Sequence, residues 1–255
     1  MNRIIKFVIL DILKNKVVVV YTFILAALSW SVFALEDNST KGLLTLLNVV
    51  LLIVPLVSVI FSTIYLYNSS EFIELLLSQP VKRSKIWFSL FIGLSLSLLF
   101  AFFVGAGIPI LIYAPPDVSL MMLVMGIIIS TVFVSIAFLG SVFTRDKAKG
   151  IGIAILLWLF FALLFDGLLL FLLFQFSDYP IEKVVVFISA CNPIDLARIM
   201  ILLHLDVSAM MGYTGAVFKD YFGSRSGSVV VLLILTVWVF LPYAISLSKF
   251  KKKDL

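Results

Sequence analysis

The chain has 255 residues, 63% of them hydrophobic, with 19 basic and 14 acidic side chains and a formal net charge of +5. A soluble domain cannot hide that much apolar surface from water, so the composition excludes an ordinary soluble protein and predicts one surrounded by lipid. The basic residues fall between the hydrophobic runs, so no nucleic-acid partner is expected. One cysteine, Cys191, and one histidine, His204, allow neither an internal disulfide nor a closed zinc site.

Positions 1–16 predict an amphipathic helix at the membrane surface. One half of the helical wheel is apolar and carries Ile4, Ile5, Val8, Ile9, Ile12 and Leu13. The other half is charged and carries Arg3, Lys6, Asp11 and Lys14. Such a helix lies on the cytoplasmic leaflet, either as a simple topological anchor or as an elbow helix that positions the first span. The apolar run that follows is too long for a signal peptide, so it is expected to be a retained anchor.

The fold class predicted from hydropathy is an all-α integral membrane protein. Runs of about 18 or more residues with almost no charge are long enough to cross a bilayer as helices. Six such runs occur, at Val17–Leu35, Leu43–Tyr67, Phe88–Tyr113, Val118–Phe143, Ile151–Phe174 and Ser228–Leu247. We therefore expect a single transmembrane domain over positions 1–255 with six spans.

The distribution of basic residues predicts the orientation. Fourteen of the 19 lie in four alternate segments, at positions 1–16, 68–87, 144–150 and 248–255. The other five lie in the intervening segments, at positions 36–42, 114–117 and 175–227. Because loops rich in Lys and Arg stay inside, we expect a multi-pass protein of the bacterial inner membrane with both termini in the cytoplasm.

The segment 68–87 predicts a short helix between the second and third spans. Ser69 or Ser70 can cap it, Glu71 and Glu74 lie in its first turns, and Pro80 stops it. Its apolar side chains, which would otherwise be exposed, suit docking into a groove on a partner. They are Phe72, Leu75 and Leu76. The alternative is a tight turn with ordinary cytoplasmic charges.

This run, Glu71 and Glu74 followed by Leu-Leu-Leu-Ser-Gln-Pro80, resembles the coupling-helix region of ABC-2 type permeases. The resemblance extends to the elbow helix, the six-span plan and the long last outer loop. It implies that positions 68–87 contact a cytoplasmic ATPase and that two copies of the permease form a homodimer.

Asp166 is the only acidic residue inside a predicted span. Placing a carboxylate there costs about 2.5 to 3.5 kcal/mol on insertion scales, so it needs a partner, water or a proton. It either belongs to a pathway at the dimer interface or reaches the outer headgroups.

The loop at 175–227 is too long for a bare connection and contains two apolar pieces, at 184–190 and 194–205. We expect short helices that pack against the outer leaflet or dip into it. Asn192 can cap the second helix with Pro193 in its first position, and Asp195 and Arg198 are spaced to pair on one face.

Two motifs in this outer loop give a more specific resemblance: Asn192-Pro193-x-Asp195-x-x-Arg198 and Gly212-Tyr213-Thr214-Gly215. Together they resemble the permease of the nitrous-oxide-reductase maturation system, an ABC transporter that works with a periplasmic copper-handling protein. The resemblance implies that these residues contact that partner. From the residues alone, an interfacial aromatic beside helix-packing glycines explains the second motif equally well.

Soft ligand types gather in the same loop, namely Cys191, Met200, His204, Met210 and Met211. They suggest copper(I) ligation. The alternative is ordinary packing, since the loop has no Met-x-x-Met motif or close His and Cys pair. We expect no metal bound directly.

The chain has no Gly-x-x-x-x-Gly-Lys-Ser/Thr run, so ATP and Mg²⁺ are expected on a partner ATPase. An intramembrane enzyme would need several converging ionisable groups, but the predicted spans offer Asp166 alone. A secondary transporter would need buried ionisable groups and paired broken helices, which this sequence barely supplies. The sequence therefore predicts a non-catalytic permease subunit of an ABC transporter, for copper-site maturation. The alternatives are an ABC-2 exporter of another substrate and a secondary transporter.

Overall fold

The computed structural model describes residues 2–36, 39–176, 182–205, 219, 223 and 225–252. The regular structure within these ranges is helical. The first half contains α1 (Asn2–Leu13), α2 (Lys16–Leu35), α3 (Ser39–Asn68), α4 (Ser70–Leu77), α5 (Arg83–Phe102), α6 (Ile108–Tyr113) and α7 (Pro116–Phe143). The second half contains α8 (Lys147–Leu159), α9 (Phe165–Gln175), α10 (Glu182–Ala190), α11 (Pro193–His204) and α12 (Arg225–Lys252).

Six helical runs among the described residues are long and apolar enough to cross a membrane, which confirms the predicted fold class. They are Lys16–Leu35, Thr40–Asn68, Arg83–Tyr113, Pro116–Phe143, Lys147–Gln175 and Gly227–Lys252. The third and fifth begin several residues before the apolar runs do, because helical hydrogen bonding continues through the basic residues that flank them. Hydropathy locates the part of each helix that lies in the hydrocarbon core of the membrane, and the helix extends beyond that part.

The third and fifth spans are each interrupted by one π-helical turn. Phe103–Gly107 separates α5 from α6, and Phe160–Leu164 separates α8 from α9. In the second turn the Phe165 amide donates to the Phe160 carbonyl, five positions back. Such a turn shifts the hydrogen-bond register by one residue and changes the direction in which the following side chains point.

The core of the bundle forms around α7, which packs against α3, α5, α11 and α12. Phe133 and Phe138 of α7 are fully buried. The hydroxyls of Ser58 in α3 and Ser130 in α7 lie 3.0 Å apart in a buried hydrogen bond, as expected where small polar residues join membrane helices. The spans α2, α8–α9 and α12 present most of their side chains outward.

Helix α1 lies across α5 and turns into α2 at Asn15. The Asn15 side chain accepts a hydrogen bond of 2.9 Å from the Val17 amide and caps α2. Contact with α5 is closest at Gly93, where a Cβ would lie 2.5 Å from Val8 Cγ1. The Tyr65 hydroxyl of α3 donates to Asp11 at 3.1 Å. The predicted amphipathic helix over 1–16 is therefore held by packing and by one polar contact.

Helices α10 and α11 form a bent pair with an angle of 111° between them. They cover the apolar pieces at 184–190 and 194–205, as expected for the loop between the fifth and sixth spans. Helix α11 packs against α7 and α12, so this corner belongs to the bundle. The motif Gly212-Tyr213-Thr214-Gly215, with Met210 and Met211, lies outside the described residues.

Candidate functional site

Asn192 joins the corner between α10 and α11 to the fifth span. Its side-chain oxygen accepts from the Ile194 amide at 3.0 Å, which caps α11 directly before Pro193. Its side-chain nitrogen donates to the Phe161 carbonyl at 2.9 Å. Phe161 lies in the π-helical turn, and Asn192 is fully buried. One side chain thus satisfies the start of one helix and a main-chain carbonyl of another.

Arg198 of α11 pairs with two carboxylates. Its Nη1 lies 2.5 Å from Asp166 Oδ2 and 3.3 Å from Asp195 Oδ1. Asp166 is in the first turn of α9, immediately after the π-helical turn. The predicted pair on one face of α11 is present, and the acid inside the fifth span has its partner in the bent helix pair. We call Asp166, Asp195 and Arg198 the ion cluster.

The ion cluster sits between protein and surroundings. The exposed fractions of the side chains are 28% for Arg198, 33% for Asp166 and 9% for Asp195. Arg198 Nε is buried and has no hydrogen-bond partner among the described residues. Two carboxyl groups share one guanidinium, so removing the arginine would leave both acidic groups in a weakly solvated site without a basic partner.

The soft ligand types of this loop do not converge in the described part of the chain. Met200 is fully buried in the core. His204 Nδ1 lies 2.9 Å from the Met200 carbonyl, one turn back on the same helix. Cys191 is exposed, and its thiol donates weakly to the Phe187 carbonyl at 3.5 Å.

A second candidate site is α4, at the end of the bundle where α1 begins and α12 ends. Glu71, Glu74 and Leu75 are exposed, and Leu75 keeps 66% of its accessible surface. They are spaced three and four residues apart, so they share one face. Ser69 occupies the cap position without a side-chain hydrogen bond, and Pro80 lies exposed beyond the helix end.

Two side chains of α4 differ from the expectation that its apolar residues would be exposed. Leu76 is buried, with 8% of its surface accessible, because it faces the bundle together with Ile73. Phe72 is half-buried and stacks on Phe7 of α1 with the ring centroids 5.2 Å apart. They hold α4 in place, which leaves Leu75 as the exposed apolar side chain of the three.

The segment after α4 is fastened to the end of α12. Arg83 donates to the Lys251 carbonyl at 3.2 Å, and the Trp87 indole donates to the Ser246 hydroxyl at 2.9 Å. The Trp87 ring also stacks on Phe250, with centroids 4.1 Å apart. Two hydrogen bonds and one ring stack therefore join the segment after α4 to the end of the sixth span.

A cavity of about 340 Å³ lies between α4 and the ends of the neighbouring spans. Glu74, Tyr67, Thr144 and Arg145 line its polar part. The Tyr67 hydroxyl contacts Thr144 and closes one side.

Six apolar spans, an amphipathic helix exposed at one end and a bent helix pair at the other define a multi-pass membrane protein. The chain belongs to the ABC-2 family of transporter proteins, whose profile, described as ABC-2 family transporter protein, matches residues 48–255. The match includes α4, the ion cluster and the bent helix pair. The chain is also similar to the probable ABC transporter permease protein NosY of Pseudomonas aeruginosa. The two are 28% identical over 191 residues, which cover 71% of this chain and 68% of the relative.

Sequence reasoning located the individual members of the site and missed two of the contacts between them. Arg198 is the one basic residue in an apolar piece of the outer loop, and Asp166 is the one acid in a predicted span. Their opposite charges were the available signal for the pair. The contact between Asn192 and the Phe161 carbonyl had no signal, because a π-helical turn has no simple sequence pattern.

Proposed function

We propose that this chain is the membrane subunit through which ATP hydrolysis on separate ATPase chains drives conformational change across the bilayer. The observation that carries the proposal is the pair of linked ends. Helix α4 presents a docking face at one end, and the start of α5, which follows it in the chain, is fastened to the sixth span. At the other end, the fifth span is fastened to α11. ATP and Mg²⁺ bind the partner, and this chain has no catalytic role.

Docking uses the exposed face of α4. Leu75 between Glu71 and Glu74 offers one apolar contact flanked by two carboxylates, which suits a groove with basic side chains at its rim. Phe72 and Leu76 act indirectly by fixing the helix, and Pro80 ends it. In this arrangement both termini and α4 face the cytoplasm, consistent with the excess of basic residues on that side.

The opposite end carries the output. When ATPase closure displaces α4, the sixth span moves through Trp87, and α11, which packs on α12, moves with it. The ion cluster makes the fifth span follow. A second copy of the chain that covers the fifth span would keep Asp166 and Arg198 away from lipid, which supports the homodimer.

We propose that the permease serves maturation of the copper sites of nitrous oxide reductase and that it acts through a periplasmic copper-handling protein. Support comes from the two motifs of the outer loop and from the similarity to the NosY permease. A partner that binds this loop needs no copper ligand from the permease. Asn192 and Pro193, which are buried, hold the start of α11, which carries Asp195 and Arg198. The further residues that we propose to contact the partner are Gly212, Tyr213, Thr214 and Gly215.

Co-purification with the ATPase tests the docking role. Leu75→Asp should release the ATPase while the amount and melting temperature of the permease stay unchanged, because Leu75 contacts solvent. The matched variant Leu76→Ala changes the next residue, which faces inward, and should lower stability instead. Full retention of the ATPase by Leu75→Asp would contradict docking through this face.

Reductase maturation tests the second part. Tyr213→Ala with Thr214→Ala should abolish copper loading of the reductase and leave ATPase binding intact, whereas Cys191→Ser with His204→Ala should be tolerated. The reverse result would replace docking with direct copper ligation. Normal maturation in both variants would contradict the copper-maturation role. It would not affect the permease role, which the ATPase assay tests separately.

A further inference from the structure

An apolar groove runs along the outside of the corner between α1 and α2. Leu13 closes its upper end, Val18, Thr22 and Ala26 of α2 form one wall, and Phe100 of α5 faces them. The groove encloses about 410 Å³. The Thr22 hydroxyl donates to the Val18 carbonyl at 2.8 Å, so it is already satisfied and leaves the wall apolar in character.

Two basic residues adjoin the lining residues of this groove in the chain. Lys14 and Lys16 flank Asn15, between the wall residues Leu13 and Val18, and both are exposed. Within the described residues neither ammonium group takes part in an ion pair. Because Asn15 caps α2, the corner is fixed and both side chains start from a defined position.

The dimensions of the groove match one acyl chain. From Val18 to Ala26 the helix rises ~12 Å at 1.5 Å per residue. An acyl chain along this wall contacts the protein instead of neighbouring lipid chains. The phosphate of the same lipid then reaches the level of the two lysines. Each lysine near an anionic surface contributes about 1 kcal/mol. The apolar wall alone would accept any lipid, and the paired charges select the headgroup.

We propose that this corner is a binding site for an anionic phospholipid, with one acyl chain in the groove and the phosphate on Lys14 and Lys16. A second apolar groove, of about 300 Å³, lies on the other side of the start of α2 and runs along α3. Its rim is formed by the side-chain amides of Asn15 and Asn68. Lys147 donates to the Asn68 side chain at 2.7 Å, so both grooves begin near basic residues, and filling each groove in turn tests which one holds the acyl chain.

Native mass spectrometry of the full chain in detergent tests the site with two probes that share the same acyl chains, phosphatidylglycerol and phosphatidylethanolamine. The wild type should retain phosphatidylglycerol preferentially. Lys14→Gln with Lys16→Gln should reduce that preference by roughly thirtyfold, as expected from the loss of two surface charges. The control Lys251→Gln with Lys252→Gln removes equal charge from the end of α12 and should change nothing.

Filling each groove separates chain binding from headgroup binding. Ala26→Phe should reduce retention of both lipids, while Ile64→Phe in the second groove should not alter the preference for phosphatidylglycerol. Equal retention of the two lipids by the wild type, or an unchanged preference after the two lysines are replaced, would overturn the proposal. Full competition by glycerol phosphate, which has no acyl chains, would also overturn it. Because Lys14 and Lys16 are exposed, we expect their replacement to leave folding intact. The lysine variants therefore still test the proposal if Ala26→Phe does not fold.

Discussion

Arg198 and Asp166 are separated by 32 positions in the chain and lie 2.5 Å apart in the structure. The pair connects the bent helix pair to the fifth span directly after a π-helical turn. Because that turn redirects the side chains that follow it, Asp166 points toward α11. The acid that looked anomalous in a transmembrane span is one half of a tertiary contact.

Removing Arg198 alone should destabilise the protein more than removing Arg198 together with the Asp166 carboxylate. Arg198→Ala leaves Asp166 and Asp195 without their basic partner, and we expect a loss of about 1 to 3 kcal/mol, less than for a fully buried pair because Arg198 and Asp166 keep 28% and 33% of their side-chain surface exposed. Adding Asp166→Asn to Arg198→Ala should restore part of the loss. Thermal melting in detergent measures both, and additive losses would show that the two residues do not interact.

The two roles of Asn192 can be separated by one pair of substitutions. Asn192→Ser keeps a side-chain oxygen that can cap α11 but loses the amide that donates to the Phe161 carbonyl, whereas Asn192→Ala loses both. We expect about 1 kcal/mol per lost interaction. Hydrogen exchange of the 184–204 peptides should rise in the order wild type, Ser, Ala. Equal exchange in both variants would show that the contact with the π-helical turn adds nothing.

Gly93 should be intolerant of any side chain. A Cβ there would lie 2.5 Å from Val8 Cγ1, so Gly93→Val should push α1 away from α5. Limited proteolysis near the N-terminus should then become faster. Gly140→Ala is the control, since no atom lies within 4 Å of a Cβ at that position. Protease resistance equal to that of the wild type in Gly93→Val would show that α1 is held by other contacts.

Charge distribution predicts the direction of insertion. A reporter enzyme fused after Lys252 should report a cytoplasmic location, and one fused at position 224 should report a periplasmic location. The reason is that basic loops are retained inside. Replacing Lys251 and Lys252 with Gln should leave the topology intact, since the other basic loops still bias it. A periplasmic reporter signal after Lys252 would contradict the six-span orientation.

Local chemistry determined much of this protein from its sequence. The six spans were readable because a hydrocarbon solvent demands long uncharged runs, and the start of α11 was readable because capping by Asn192 and Pro193 involves neighbouring residues only. The pairing of Asp195 with Arg198 followed from helical spacing alone.

Only the tertiary structure decided which distant groups meet and which faces are covered. The spacing within α4 could not show that Leu76 faces the bundle while Leu75 faces out, because that depends on how α4 rotates against α5 and α1. Likewise, Asp166 met Arg198 only after a π-helical turn had set its direction and α11 had packed on α7. Contacts between helices arise from the global packing of the spans, for which a single hydropathy pattern is compatible with many arrangements.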